Sequence, residues 1–136
     1  MVELIVGKKG KGKTKVLLDK VNGAVKEANG SIVYLDKSTK HMYELNNKVR
    51  LIDVSGFPIK NADEFVGFIC GILSQDHDLE QIYLDSRKVR MQLERLFAEN
   101  TFDPAKLRRT FIVIANSQPL SRFGPVLLAD LSRASP

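Results

Sequence analysis

The stretch from Gly7 to Thr14 reads GKKGKGKT, and it constrains the fold more than any other part of the chain. It matches the pattern G-x-x-x-x-G-K-[ST] at every fixed position. An apolar run, ELIV at 3–6, stands directly before it, and apolar residues with helical spacing begin after Lys13. The sequence therefore predicts a strand, a glycine-rich loop and a helix in direct succession over residues 3–28.

The residue types in this loop suit the binding of phosphate groups. Gly7, Gly10 and Gly12 allow the backbone to curl, so that several N–H groups can point at anionic oxygens. The N-terminus of the helix that follows also favours negative charge. We expect Lys13 to reach the β- and γ-phosphates of a nucleotide, and the Thr14 hydroxyl to coordinate Mg²⁺.

Four further lysines, Lys8, Lys9, Lys11 and Lys15, lie in or beside the loop, and the chain carries a formal net charge of +5. Such charge favours polyanions, among them nucleotides, nucleic acid and acidic membrane surfaces. We include these lysines among the candidate nucleotide-binding residues. The alternatives are solvated surface charge and contact with a second polyanion.

Short apolar runs without alternation are typical of parallel strands that are covered on both faces. Four such runs occur, at 3–6, 31–36, 81–85 and 110–115. Helical stripes of apolar residues lie between them, at 13–28, 62–74 and 87–99, and Asn61 is the predicted N-cap of the second. This alternation predicts an α/β three-layer sandwich with a mainly parallel sheet, and 136 residues favour a single domain over 1–136.

Other segments allow smaller predictions. Residues 42–54 are interpreted as a hairpin or an edge element, and VLLADL at 126–131 as a short helix or strand. Cys70 stands in an apolar segment and is predicted to be a small core residue, whereas His41 and His77 are predicted to lie on the surface without a metal. No apolar run approaches 18 residues and no signal peptide is apparent, so we expect a cytoplasmic protein without a membrane span.

Three aspartates at or near the ends of strand-like runs could supply a carboxylate to a bound Mg²⁺. Asp85 ends QIYLD, Asp36 ends the similar run SIVYLD, and Asp53 lies in the less apolar run VRLIDV at 49–54. Asp85 and Asp36 are therefore the stronger candidates.

The motif GKKGKGKT together with IYLDS resembles the core of P-loop NTPases of the RecA-like type, in which the metal-associated strand reads as four apolar residues, Asp, Ser. This resemblance implies a RecA-like core that uses ATP and Mg²⁺, with Thr14 and Asp85 at the metal. FIVIANS at 111–117 resembles the next strand of that family, which implies a position near the γ-phosphate for Asn116 or Ser117. Over residues 1–87 the chain also resembles a set of small bacterial P-loop proteins, sometimes labelled ATP-binding or twitching-motility proteins, which implies nucleotide binding.

RecA-like ATPases usually place a glutamate near the attacking water, after the second core strand or after the metal-associated aspartate. Here Lys37 follows Asp36 and Ser86 follows Asp85. Neither place holds a glutamate, so hydrolysis is expected to be weak or stimulated by a partner. The candidate catalytic residues are Lys13, Asp85 and Asp36. An arginine from a neighbouring subunit could help, and the candidates in this sequence are Arg108, Arg109 and Arg122.

The best-supported function is therefore binding of a nucleoside triphosphate with Mg²⁺, alone or in contact with a protein partner or a second copy of the chain. The guanine-reading pattern N/T-K-x-D is absent, which favours ATP. One alternative is a small P-loop kinase in which the basic residues of 87–95 act as a lid. The other is a nucleic-acid-binding module that uses the lysine-rich loop.

Overall fold

The computed structural model describes residues 2–7, 10, 12–85, 109–115 and 126–131. The two helices are Lys13–Ala24 (α1) and Ala62–Gln75 (α2), and a short 3-10 helix covers Val54–Gly56. The strands are Val2–Val6 (β1), Ser31–Asp36 (β2), Val49–Asp53 (β3), Leu79–Asp85 (β4), Thr110–Ala115 (β5) and Val126–Asp130 (β6).

The strands form one sheet in the order β3-β2-β4-β5-β1-β6, and every neighbouring pair is parallel. The prediction of an α/β fold with a mainly parallel sheet is confirmed. Because the strands are parallel, their carboxyl ends meet at one edge, which is where ligands bind in open α/β sheets. This edge carries Val6, Asp36, Asp85 and Ala115.

The helices cover opposite faces of the sheet. Leu4 of β1 packs in a cluster with Phe65 and Ile69 of α2, whereas its neighbour Ile5 packs in a second cluster with Leu17 of α1. The arrangement is a three-layer sandwich, as predicted. Both faces of the central strands are buried, which explains why their apolar residues are consecutive rather than alternating.

The two helix predictions that fall on described residues, 13–28 and 62–74, hold except at one end. Asn61 caps α2, because its side-chain oxygen accepts a 2.8 Å hydrogen bond from the Glu64 N–H. Helix α1 ends at Ala24 rather than at residue 28, and the next residues continue as turns, with the Ala28 N–H 2.9 Å from the Ala24 carbonyl. The helix predicted at 87–99 lies outside the described residues. No helix in the described part of the chain is long and apolar enough to span a bilayer.

The predicted hairpin at 42–54 is wrong, although the prediction of an edge element is confirmed. Residues 42–45 form a turn, in which the Glu44 N–H bonds to the His41 carbonyl. β3 then pairs parallel with β2 at the edge of the sheet. An apolar pattern indicates a strand but does not report its direction, and this explains the error.

At 126–131, the strand alternative is confirmed by β6, which pairs with β1.

Cys70 is exposed, so its predicted place in the core is wrong. Phe65 and Ile69 are fully buried and define the inner side of α2. Each residue advances a helix by about 100°, so Cys70 is turned away from Ile69 toward solvent. The apolar character of the segment was misleading, because position around the helix decides burial.

Gly30 allows a close approach between the start of β2 and the turn before β4. A Cβ atom at this position would lie 1.9 Å from the Asp78 carbonyl oxygen, which also accepts a 2.9 Å bond from the Ser31 N–H. We expect Gly30→Ala to lower the free energy of unfolding by about 1–3 kcal/mol, since the backbone must shift to make room. Urea denaturation of the two proteins measures this difference.

Gly23 is the matched control, because a Cβ atom there meets nothing within 4 Å and the residue lies inside α1. Gly23→Ala should raise the free energy of unfolding by about 0.5–1 kcal/mol, since alanine favours the helix. Equal stability of Gly30→Ala and the wild type would contradict the steric account.

Candidate functional site

Two glycines in the loop between β1 and α1 have the left-handed backbone conformation that glycine favours. Gly10 and Gly12 adopt left-handed conformations, with φ of 87° and 86°. Gly12 is also the N-cap of α1, whose first turn contains no acidic residue, so no side chain of that turn places negative charge at the helix N-terminus. Lys8, Lys9 and Lys11 lie outside the described residues, and Lys15 is exposed on α1.

Lys13 is folded into the loop instead of extending into solvent. Its side chain is only 5% exposed, and its ammonium group donates a hydrogen bond to the Gly7 carbonyl. The contact joins the first residue of the loop to the first residue of α1. It holds a positive charge at the carboxyl end of β1, at the point where the helix N-terminus also favours an anion.

Thr14 and Asp85 come together at the same edge although 71 residues separate them in sequence. The Thr14 hydroxyl lies 3.4 Å from Oδ1 of Asp85, and the Tyr34 hydroxyl donates a 2.8 Å bond to Oδ2 of the same carboxylate. Asp85 is 8% exposed. Its carboxylate is thus held by a hydroxyl from each of two other elements, α1 and β2.

Tyr34 was not predicted as part of the site. Burial, and secondly the charge of Asp85, raise the pKa of its hydroxyl far above the ordinary value, so Tyr34 keeps its proton and remains a donor. Its ring also stacks on that of Tyr83 in the adjacent strand, with centroids 6.4 Å apart. The sequence signal that could have indicated Tyr34 is the repeated YLD, which ends both β2 and β4. These two strands are neighbours, and their YLD residues pair in register.

Asp36 lies beside Asp85, because β2 and β4 pair with these two residues in register. It is 3% exposed, and its Oδ1 accepts a 2.7 Å bond from the Lys37 N–H. Its Oδ2 is buried and has no hydrogen-bond partner among the described residues. Burial raises the pKa of the Asp36 carboxyl above its ordinary value; the Lys37 N–H opposes this rise, and the charge of Asp85 adds to it.

Asp53, the weakest of the three aspartate candidates, has a local structural role. It ends β3 and accepts hydrogen bonds from the Ser55 N–H at 2.9 Å and from the Ser55 hydroxyl at 2.6 Å. These bonds, the one from the hydroxyl first, lower the pKa of the Asp53 carboxyl. The carboxylate caps the 3-10 helix that follows.

His41 was predicted to lie on the surface without a metal, and its side chain is 16% exposed. His41 lies in the turn after β2. One of its ring nitrogens, one carboxylate oxygen of Asp36 and one of Asp85 all lie within 4.8 Å of one another. Its Nδ1 is 3.0 Å from a carboxylate oxygen of Glu44. No sequence motif links these positions. His77, by contrast, is exposed, as predicted.

The two arginines in the described part of the chain lie away from this edge. Arg109 directly precedes β5 at the amino end of the sheet and bonds to the His77 carbonyl at 3.4 Å. Arg50, near the start of β3, pairs with Asp76 at 3.7 Å. Ser86, Asn116, Ser117, Arg108, Arg122 and the basic residues of 87–95 lie outside the described residues.

Comparison with known proteins supports the architecture. No protein-family model and no curated protein sequence matches the chain. Among solved structures, the chain is similar to a KaiC-like protein of the hyperthermophilic archaeon Pyrococcus horikoshii OT3, with 21% sequence identity and a TM-score of 0.54. The similarity covers 90% of this chain and 66% of that one, so this chain spans just under two thirds of the length of the KaiC-like protein. The chain therefore shares the α/β fold of this KaiC-like protein.

Proposed function

We propose that the loop from Gly7 to Thr14 binds the triphosphate of ATP together with Mg²⁺. The observation that carries this proposal is the 3.4 Å contact between the Thr14 hydroxyl and Asp85, at the residue that follows the buried Lys13 in the chain. A hydroxyl, a carboxylate and an ammonium group at the N-terminus of a helix are the groups that a Mg–triphosphate requires.

Each loop residue has a role in this proposal. The left-handed Gly10 and Gly12 shape the backbone so that N–H groups at the start of α1 can donate to phosphate oxygens. Lys13 exchanges its bond with the Gly7 carbonyl for one with the β- and γ-phosphates. Because Lys13 is already buried at the loop, little ordering of its side chain is needed on binding.

The donor set also fits Mg²⁺, which prefers oxygen ligands and keeps several waters. The Thr14 hydroxyl would coordinate the ion directly, and Asp85 would accept hydrogen bonds from its waters. Bound Mg²⁺ would neutralise the negative charge that develops on the phosphate oxygens. Tyr34 holds Asp85 in position by its 2.8 Å hydrogen bond.

We further propose that hydrolysis is slow and that Asp36 orients the attacking water. Asp36 ends the strand next to that of Asp85, and its Oδ2 has no hydrogen-bond partner among the described residues. An aspartate is a shorter base than the glutamate usual in RecA-like ATPases, so it reaches less far toward a γ-phosphate. Among the described residues, Arg50 and Arg109 lie away from this edge. We propose that an arginine of a protein partner or a second copy of the chain stimulates hydrolysis.

Binding of a fluorescent ATP analogue with and without Mg²⁺ tests the proposed roles of Thr14 and the metal. We expect Mg²⁺ to raise the affinity of the wild type. Thr14→Ala should lose about 10- to 150-fold in affinity when Mg²⁺ is present, because one hydroxyl contact to a charged group is worth about 1.5–3 kcal/mol. Without Mg²⁺ the two proteins should differ little.

Thr110→Ala is the matched control, because Thr110 begins β5 at the opposite end of the sheet. It should respond to Mg²⁺ as the wild type does. An equal Mg²⁺ response in Thr14→Ala and the wild type would refute the assignment of Thr14 to the metal.

A further inference from the structure

A second group of potential ligands lies beside the loop. Asp36 and Asp85 are 3% and 8% exposed, and the side chain of His41 is 16% exposed. Each of the three offers one nitrogen or oxygen atom, and these atoms all lie within 4.8 Å of one another. Ligands about 2.1 Å from a tetrahedral ion lie roughly 3.4 Å apart, so shifts of about 1 Å would bring these atoms to coordinating distance.

The buried oxygen of Asp36 indicates that this group is incomplete. Its Oδ1 accepts the Lys37 N–H, but its Oδ2 is buried without a hydrogen-bond partner among the described residues. A buried polar atom without a partner destabilises the fold, because it loses its hydrogen bonds to water. A cation between Asp36 and Asp85 would compensate this cost and the repulsion between the two neighbouring carboxylates.

Glu44 orients the imidazole of His41 in the way that metal-binding histidines require. Its carboxylate lies 3.0 Å from Nδ1 of His41. Because an ionised carboxylate only accepts hydrogen bonds, Nδ1 is the donor in this contact, and in the neutral imidazole the lone pair is then on Nε2. A carboxylate that fixes the tautomer of a ligating histidine in this way is a recurrent feature of metal sites.

We propose that Asp36, His41 and Asp85 form a binding site for a divalent transition-metal ion, of the class Mn²⁺, Co²⁺, Ni²⁺ or Zn²⁺, that is occupied without nucleotide. An imidazole ligand suits these ions, whereas Mg²⁺ prefers oxygen alone. Three protein ligands leave room for water at the ion. The site differs from the proposed Mg²⁺ position, because it needs neither Thr14 nor phosphate oxygens and uses His41 instead.

Titration of tag-free, chelator-treated and nucleotide-free protein with Co²⁺ tests this proposal, with visible absorption as the readout. We expect saturable binding of one ion, and we expect His41→Ala to weaken it at least tenfold. His77→Ala is the matched control: the other histidine of the chain lies beyond the amino end of β4, about 20 Å along that strand from Asp85, and its removal should leave Co²⁺ binding unchanged.

A second measurement needs no variant and therefore holds even if His41→Ala fails to fold. Mn²⁺ should broaden the imidazole NMR signals of His41 at concentrations that leave those of His77 sharp. Binding that does not saturate, equal Co²⁺ affinity in His41→Ala and the wild type, or preferential broadening of His77 would overturn the proposal. Because no nucleotide is present, these results do not depend on whether the loop binds ATP.

Discussion

Replacing Lys13 by alanine is expected to lower the affinity for an ATP analogue with Mg²⁺ by about 100-fold or more. Removing one partner of a buried, hydrogen-bonded charge pair typically costs 2–5 kcal/mol, and about 2.8 kcal/mol corresponds to 100-fold. Lys13 is 5% exposed, so water screens its charge little. Equilibrium binding of a labelled analogue measures the change.

Lys26→Ala is the control for this variant, since Lys26 is an exposed lysine beyond the end of α1. It removes the same charge from the chain and should alter the affinity by less than about threefold, because exposed charges are screened. Thermal unfolding of both variants shows whether the fold is kept. Similar affinities for Lys13→Ala and Lys26→Ala would show that general positive charge, and not the loop, attracts the nucleotide.

Asp36→Asn is expected to lower single-turnover hydrolysis of ATP about 100-fold, which is the lower part of the range for loss of a general base. The same variant should be more stable than the wild type by about 1 kcal/mol in the presence of a chelator, because it removes one of two adjacent buried carboxylates. Lower activity with higher stability is typical of residues that serve function at a cost in stability.

Asp53→Asn is the matched control, because Asp53 ends the strand next to β2. Asparagine can also cap the 3-10 helix that Asp53 caps. Its hydrolysis rate should equal that of the wild type. If Asp36→Asn hydrolyses ATP as fast as the wild type, Asp36 does not orient the attacking water.

The parts of the site that lie close together in sequence could be predicted, and the parts that depend on strand order could not. The loop from Gly7 to Thr14 is one continuous motif whose context, a buried strand and a helix, is visible in the same stretch. Asp36 and Asp85 were found because carboxylates at strand ends are exceptional among apolar residues. Tyr34 was missed because its contact with Asp85 requires β2 and β4 to be neighbours.

The region between β2 and β3 shows the same limit. Apolar spacing predicted strand structure in 42–54, but only β3 forms, parallel to β2. The direction of β3 depends on the turn before it, and that turn also brings His41 back to the ends of β2 and β4. A histidine among polar residues carries no signal of this position, since its neighbours in space come from elements far apart in sequence.

A crystal structure with a non-hydrolysable ATP analogue and Mg²⁺ tests the central claim most directly. We predict triphosphate oxygens at the N–H groups that begin α1, the ammonium group of Lys13 moved from the Gly7 carbonyl to a phosphate, and Mg²⁺ on the Thr14 hydroxyl with Asp85 at its waters. A nucleotide bound elsewhere, or no nucleotide in the loop at saturating concentration while Lys13 still contacts Gly7, would contradict the account.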